Sequence, residues 1–277
     1  MPKISAFVIA YNRAELLRAC LRRARFVDEL IVVDKSSTDE TPKVARELAD
    51  RYEVVPWTPV VEDTRAYAQS LCTGDWIICL DDDEILSASA ARGIPEVIDE
   101  HPEVGVFYIP IRHYILGRFD PRSYPEELRP ALYRRGMIHY PTAVHASAVV
   151  DTQCRQQVKV EGIWLDHLSH PDAAAYLEKT NRYTSRPERS GAKLPADLAI
   201  FARHQIGLVP VGADPYVQAV GLLRALYDIV DGLKRWEATQ PNGHEVFRQF
   251  CAAIERENDG LGEPWFGEGV PEGEPWR

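Results

Sequence analysis

Thr73-Gly74-Asp75-Trp76-Ile77-Ile78-Cys79-Leu80-Asp81-Asp82-Asp83-Glu84 sets a turn, an unbroken apolar run and four consecutive acids in one short stretch. The run from Trp76 to Leu80 has the length of a strand and no polar alternation, which predicts a strand covered on both faces of a sheet. It ends directly in carboxylates. Toward the N-terminus, residues 4–10 (ISAFVIA) and 30–33 repeat the pattern, and these runs also stop at polar residues, Tyr11-Asn12 and Asp34.

Helical patterns lie between these runs. Residues 14–25 carry Leu16, Leu17, Cys20, Leu21 and Ala24 at helical spacing. The polar loop 35–42 closes with Thr41 as an N-cap and Pro42 at the first helical position, predicting a helix to about Arg51. A third strand at 54–56, a helix at 63–71, a helix at 87–100 and a strand at 104–110 extend the alternation. Such β/α alternation implies right-handed crossovers and a mostly parallel, doubly covered sheet. The three polar clusters then fall at the C-terminal ends of strands, the edge where open α/β sheets bind ligands.

After residue 110 the alternation fails, and the Arg-, Tyr-, Pro- and His-rich stretch to 170 reads as strands and loops covering one edge of the sheet. Helices are expected at 172–184, from Asp214-Pro215 onward, and at 245–257, with a Gly- and Pro-rich tail beyond. The expected organisation is an α/β half at 1–103, a second half of the same domain at 104–171, a helical region at 172–257 and a flexible tail at 258–277.

Composition bounds the function. With 277 residues, 45% apolar and 27% charged, the chain is an ordinary globular sequence. Its apolar runs are far shorter than the ~20 residues that cross a bilayer, and no signal peptide precedes the first strand, so a soluble cytoplasmic protein with at most peripheral membrane contact is expected. Five cysteines without a CxxC pair suggest neither a disulfide framework nor a zinc knuckle. A net charge of −10 argues against a nucleic-acid partner. One segment departs from this balance: Arg112, Arg118, Arg122, Arg129, Arg134 and Arg135 make 112–135 locally basic, a patch for an anionic acceptor or a diphosphate, or else a solvated loop.

Four adjacent carboxylates after a buried strand repel one another, and a divalent cation such as Mg²⁺ or Mn²⁺ would relieve this. An acidic helix N-terminus is the alternative.

A strand ending in Tyr-Asn, then Val33-Asp34-Lys35-Ser36-Ser37-Thr38-Asp39-Glu40-Thr41, then the 73–84 stretch together resemble the inverting glycosyltransferases of family 2, which have the GT-A fold. Tyr133-Arg134-Arg135-Gly136, Val144-His145, Asp166-His167-Leu168-Ser169 and Asn181-Arg182-Tyr183 are similar to a branch with lipopolysaccharide-core and peptide sugar transferases. The resemblance spans roughly residues 3–235 and makes 1–103 the nucleotide-sugar-binding half and 104–171 the acceptor and metal-site half. It implies a hexosyl transfer from a nucleotide-diphosphate sugar, a UDP-sugar first, to a glycan, peptide or small-molecule acceptor. It also implies that Asp81 and Asp83 hold a metal, with Asp81 and Asp82 near the donor, and that Ala10, Tyr11, Asn12, Asp34 and Arg65 contact the nucleotide. His145 matches a histidine that completes the metal or diphosphate site.

Two positions depart from the family pattern. Lys35 stands where many relatives carry an acid, and Ala146 follows His145 where close relatives carry a glutamate. With that acid absent, the base that deprotonates the acceptor is sought among Asp166, preferred for its place beside His167, and Glu126 and Glu127. Three other readings compete. A nucleotidyltransferase would carry a glycine-rich loop after the first strand, and an aspartyl phosphatase would place its acid pair early in the chain. A sugar- or nucleotide-binding module without turnover is the third.

Overall fold

The computed structural model describes residues 2–59, 61–141, 148–151, 157–185, 197–240 and 243–259. The first half alternates as β1 (Ile4–Ala10), α1 (Ala14–Ala24), β2 (Glu29–Asp34), α2 (Thr41–Leu48), β3 (Arg51–Val54), α3 (Glu62–Ser70), β4 (Trp76–Asp81), β5 (Glu84–Leu86) and α4 (Ala90–Glu100). Then come β6 (Val106–Ile115), β7 (Arg118–Phe119), β8 (Glu127–Arg134), β9 (Ile138–His139), β10 (Val149–Val150), β11 (Gln157–Lys159) and β12 (Leu165–His170). The helices α5 (Ala173–Thr184), α6 (Leu198–Gly207), α7 (Pro215–Glu237) and α8 (Gly243–Asp259) follow.

Among the described residues one sheet runs β3-β2-β1-β4-β8-β6-β12-β5, with β7 and β11 also paired to β6. Strands β1, β2, β3 and β4 are mutually parallel. Every residue of β1 is buried, and its side chains divide between two cores: Ala6, Val8 and Ala10 pack on one face, Phe7 and Ile9 on the other. That double burial is why the run lacks polar alternation. The α/β architecture is the one expected from the GT-A resemblance.

The middle of the chain differs from its sequence reading. β8 inserts antiparallel between β4 and β6, so residues 127–134 lie inside the sheet instead of covering its edge. Helix α2 begins at Thr41, whose Oγ1 accepts from the Arg13 N–H at 3.0 Å, so Thr41 ties two loops together rather than capping its own helix. The helix stops at Leu48 because Ala49 turns extended and leads into β3. Helix α6 has no counterpart in the sequence reading.

Gly74 permits the turn into β4. A Cβ there would lie 2.7 Å from Ser5 Oγ and 2.9 Å from the Lys3 carbonyl oxygen. The C-terminal helices attach through Ile115, Tyr176 and Val220, a small core that seats α5 and α7 on the end of β6. Asp214 caps α7 by accepting from the Tyr216 N–H at 2.9 Å. No helix among the described residues is long and apolar enough to cross a membrane.

Candidate active site

A cleft of about 980 Å³ opens at the C-terminal ends of β1 and β4. Ala10, Tyr11, Asn12, Arg65, Asp81, Asp82, Asp83 and Glu127 all line it, so these sequence-derived candidates converge. Two loops there carry positive φ at non-glycine residues, Asn12 at 50° and Ser36 at 62°. Asn12 is held by its own side chain, which accepts from the Thr38 N–H at 2.7 Å. Local backbone cost at a ligand-facing loop is the usual place for it.

The four acids do not stand alone. Arg65 Nη2 donates to Asp81 Oδ2 at 2.8 Å, and Arg129 Nη1 approaches the same oxygen at 3.7 Å. Arg129 also pairs with Glu84, which accepts from the Asp81 N–H at 2.8 Å. Arg13 Nη1 donates to Asp82 Oδ1 at 3.1 Å and pairs with Asp83, while the Tyr11 N–H donates to Asp82 Oδ2 at 2.8 Å. Three guanidiniums therefore supply the positive charge that burial of this cluster requires. Burial and the adjacent Asp83 push the Asp82 carboxyl up to about 7. Asp81 and Asp83, beside cationic partners, stay below the usual carboxylate range despite burial.

Arginines thus relieve the repulsion among the acids, and one buried carboxylate oxygen is left over that a cation could take. Asp81 Oδ1 is buried without a hydrogen-bond partner among the described residues. Asp83 Oδ1 lies 3.6 Å from His167 Nε2, too far for a hydrogen bond. No three His, Cys, Asp or Glu side chains form a ligand set among the described residues. His145 and Ala146 lie outside them.

Two candidates are placed away from the cleft wall. Asp34 is 1% exposed, and both its oxygens are engaged, Oδ1 by the Ser37 N–H at 2.9 Å and Oδ2 by the Tyr52 hydroxyl at 2.8 Å. It shapes the loop behind the site, and its neighbour Lys35 faces the cleft instead, buried and pushed down to about 8 chiefly by that burial. Asp166 alternates with His167 along β12, so the two point to opposite faces of the sheet. Its Oδ2 accepts from Trp164 Nε1 at 3.2 Å, and it does not line the cleft. Glu126 pairs with Lys159 at 2.7 Å. Only Glu127 of the three acids faces the cavity, and there a hydrogen bond from His113 Nε2 at 2.9 Å holds it below the usual carboxylate range. His113 Nδ1 lies 3.1 Å from His167 Nδ1.

The basic segment is mostly structural. Arg118 and Arg122 both pair with the buried Asp120, at 3.2 and 2.6 Å. Arg112 lies 3.6 Å over the Trp164 ring, and Arg134 lies 4.7 Å over Trp76. Of the six arginines only Arg129 lines the cleft. The cationic cleft residues that sequence reasoning missed are Arg13, Lys179, Arg182 and Arg224, three of them on α5 and α7. Asn181-Arg182-Tyr183 was visible as a motif, whereas Lys179 had no local signal. Trp57, half exposed and 6.1 Å from Tyr11 between ring centroids, was also missed.

The model of the family described as "Glycosyl transferase family 2" matches residues 5–153. An uncharacterized glycosyltransferase of Rickettsia felis is 31% identical over 211 residues, covering 73% of this chain and 74% of its own length. The lipopolysaccharide core biosynthesis glycosyltransferase LpsC of Rhizobium meliloti is 27% identical over 148 residues, 50% of this chain and 54% of that protein. Among solved structures, S. aureus TarS 1-349 in complex with UDP aligns with a TM-score of 0.48 at 15% identity, over 87% of this chain and 93% of that one. The mannosyltransferase PcManGT from Pyrobaculum calidifontis, in complex with GDP-Man and Mn²⁺, aligns with a TM-score of 0.46 at 17% identity, over 91% and 80%.

Proposed function

The chain belongs to glycosyl transferase family 2, and from that premise we propose that it moves a hexosyl group from a nucleotide-diphosphate sugar to an acceptor hydroxyl, with inversion, in the cleft above Asp81–Glu84. The observation that carries this reading is the meeting of Tyr11–Arg13, Asp81–Glu84 and the carboxylate of Glu127 around one cavity.

Tyr11 and Trp57 offer aromatic surface for the nucleotide base, and the backbone at Ala10–Asn12 offers a wall for the ribose. The acceptor oxygen attacks the anomeric carbon from the face opposite the diphosphate, so one bond forms as the other breaks. Its proton passes to Glu127, and the electron pair of the breaking C–O bond goes to the β-phosphate oxygen. A carboxylate held ionised by His113 takes that proton only as the hydroxyl becomes acidic along the reaction, which is how general-base catalysis works with a weak base. Asp81 and Asp83 are the residues that would hold a divalent cation, which supplies Lewis-acid neutralisation of the leaving diphosphate. Arg13, Arg65 and Arg129 hold the acids in place.

A thermal-shift panel of UDP, GDP, CDP and dTDP, each with Mn²⁺ and with EDTA, tests the reading. Binding to the folded chain raises stability by RT ln(1 + [L]/Kd), about 2.7 kcal/mol at a hundredfold excess over Kd. At least one diphosphate should stabilise, and more strongly with Mn²⁺. No shift with any of the four would overturn the donor class; equal shifts in EDTA would overturn the metal requirement alone.

A further inference from the structure

The floor of the cleft is acidic and already matched by guanidiniums, whereas its roof, on α5, carries cations that make no ion pair among the described residues. Lys179 and Arg182 are three residues apart, so both project from one face of the helix, and both line the cavity. Among the described residues neither makes a hydrogen bond or an ion pair, and each lies near the Tyr183 ring, at 5.8 and 5.7 Å from its centroid. Arg182 Nε is buried without a partner. Burial holds the Lys179 ammonium below its usual range, Asp83 pulls it the other way, and Arg13 and Arg182 add to the depression. Two like charges at this spacing, partly desolvated and offset on the Lys179 side by Asp83 at more than ion-pair distance, cost the free protein stability, and a bound anion lowers that cost.

Their position says which anion. Lys179 feels Asp83 and Asp81 at the end of β4, while Arg182 is near enough to Lys35, at the end of β2, to lower it. The pair therefore spans from the acid floor to the nucleotide side of the cleft. The helix is anchored in that place: Lys234 Nζ on α7 donates to the Asn181 carbonyl at 2.9 Å and to Ser185 Oγ at 2.6 Å, and Tyr176 is buried beneath it.

We propose that Lys179 and Arg182 form a protein-borne diphosphate site, which grips the two phosphates of the donor and takes up their charge as the glycosidic bond breaks. This rests on the family 2 reading of the cleft. It adds that diphosphate binding persists, weakened, without a metal.

Calorimetric titration of the full chain with UDP, GDP, CDP and dTDP, and with the matching monophosphates, in EDTA and in Mn²⁺, tests this on the wild type and on Lys179→Gln, Arg182→Gln and Lys179→Arg. Each glutamine variant should lose about ten- to a hundredfold in diphosphate affinity in both buffers, the range of one charge-assisted contact. Monophosphate binding, which keeps one of the two phosphates, should fall by less, and Lys179→Arg should restore the diphosphate affinity. Glutamine variants that bind the diphosphate like the wild type overturn the site and leave the family 2 reading intact. Unchanged diphosphate affinity with a raised KM for acceptor assigns the roof to an acceptor anion, which also overturns it. A wild type that binds none of the four diphosphates overturns both.

Discussion

His113 Nε2 lies 2.9 Å from Glu127 Oε2, with the imidazole mostly buried and the carboxylate side chain 52% exposed. A mostly buried ring thus orients a carboxylate that solvent reaches, and His167 steadies the ring from its other nitrogen at 3.1 Å. Position, more than basicity, recommends Glu127 as the base.

Glu127→Gln should lower transfer by about 10² to 10⁴, the range of general-base catalysis, with nucleoside-diphosphate affinity unchanged. His113→Gln keeps a donor near Glu127 and should cost less. Asp166→Asn should transfer at close to the wild-type rate, because Asp166 faces Trp164 and not the cleft. Wild-type rates for Glu127→Gln, measured in single turnovers, would move the base to a residue outside this set.

Arg129 serves stability. Its guanidinium bridges Glu84, Asp81 and the Cys79 carbonyl, the last at 2.7 Å, inside the sheet. Arg129→Met leaves Glu84 at 2% side-chain exposure with the Asp81 N–H but without its cation, and breaking such a buried pair costs about 3 to 5 kcal/mol. Urea midpoints with an unchanged m-value would measure it.

Stability should fall with acid in a window that His170 defines. Burial pushes its imidazole down to about 3, aided by Lys179 and His167, whereas the unfolded chain titrates near 6.5. Between those values the unfolded state holds a proton that the folded state lacks, so each step down in pH favours unfolding. Below about 3 both states are protonated and the contribution is fully lost. His170→Phe should flatten the decline between pH 7 and pH 4; equal declines in both proteins would remove His170 as its source.

Gly74→Ala should destabilise by about 1 to 3 kcal/mol, as overpacking does, because its Cβ would enter the space of Ser5 and the Lys3 carbonyl. The Gly74 N–H also donates to Ser5 Oγ at 2.8 Å, so relief by moving the chain breaks a buried hydrogen bond. A lower melting temperature with intact donor binding is the expected result.

Arg118→Ala and Arg122→Ala should leave the KM for acceptor unchanged. Both side chains are used to fold the loop around Asp120, and Arg118 also lies 4.6 Å over the Tyr216 ring. A raised KM in either variant would return this segment to the acceptor site.

The strands β1, β2 and β4 and the acids that follow β4 could be read from the sequence because each is a local property: a strand buried on both faces needs an unbroken apolar run, and its end is where polar residues resume. The same holds for α5 and α7, opened by Asp172 and Asp214, whose side chains cap the next turn. What balances the acids is not local. Arg13, Arg65 and Arg129 come from a loop, a helix and an inserted strand, and Asp82 is 69 residues from Arg13, so only the folded sheet brings their charges within reach. Register decided which acids reach the cleft: Asp166 and His167 are neighbours in sequence but face opposite sides of β12, and Glu127 enters the cleft because β8 pairs antiparallel with β6. Lys179 is one of seven lysines in the sequence, and only the packing of α5 across the strand ends brings it to the cleft and takes water from it.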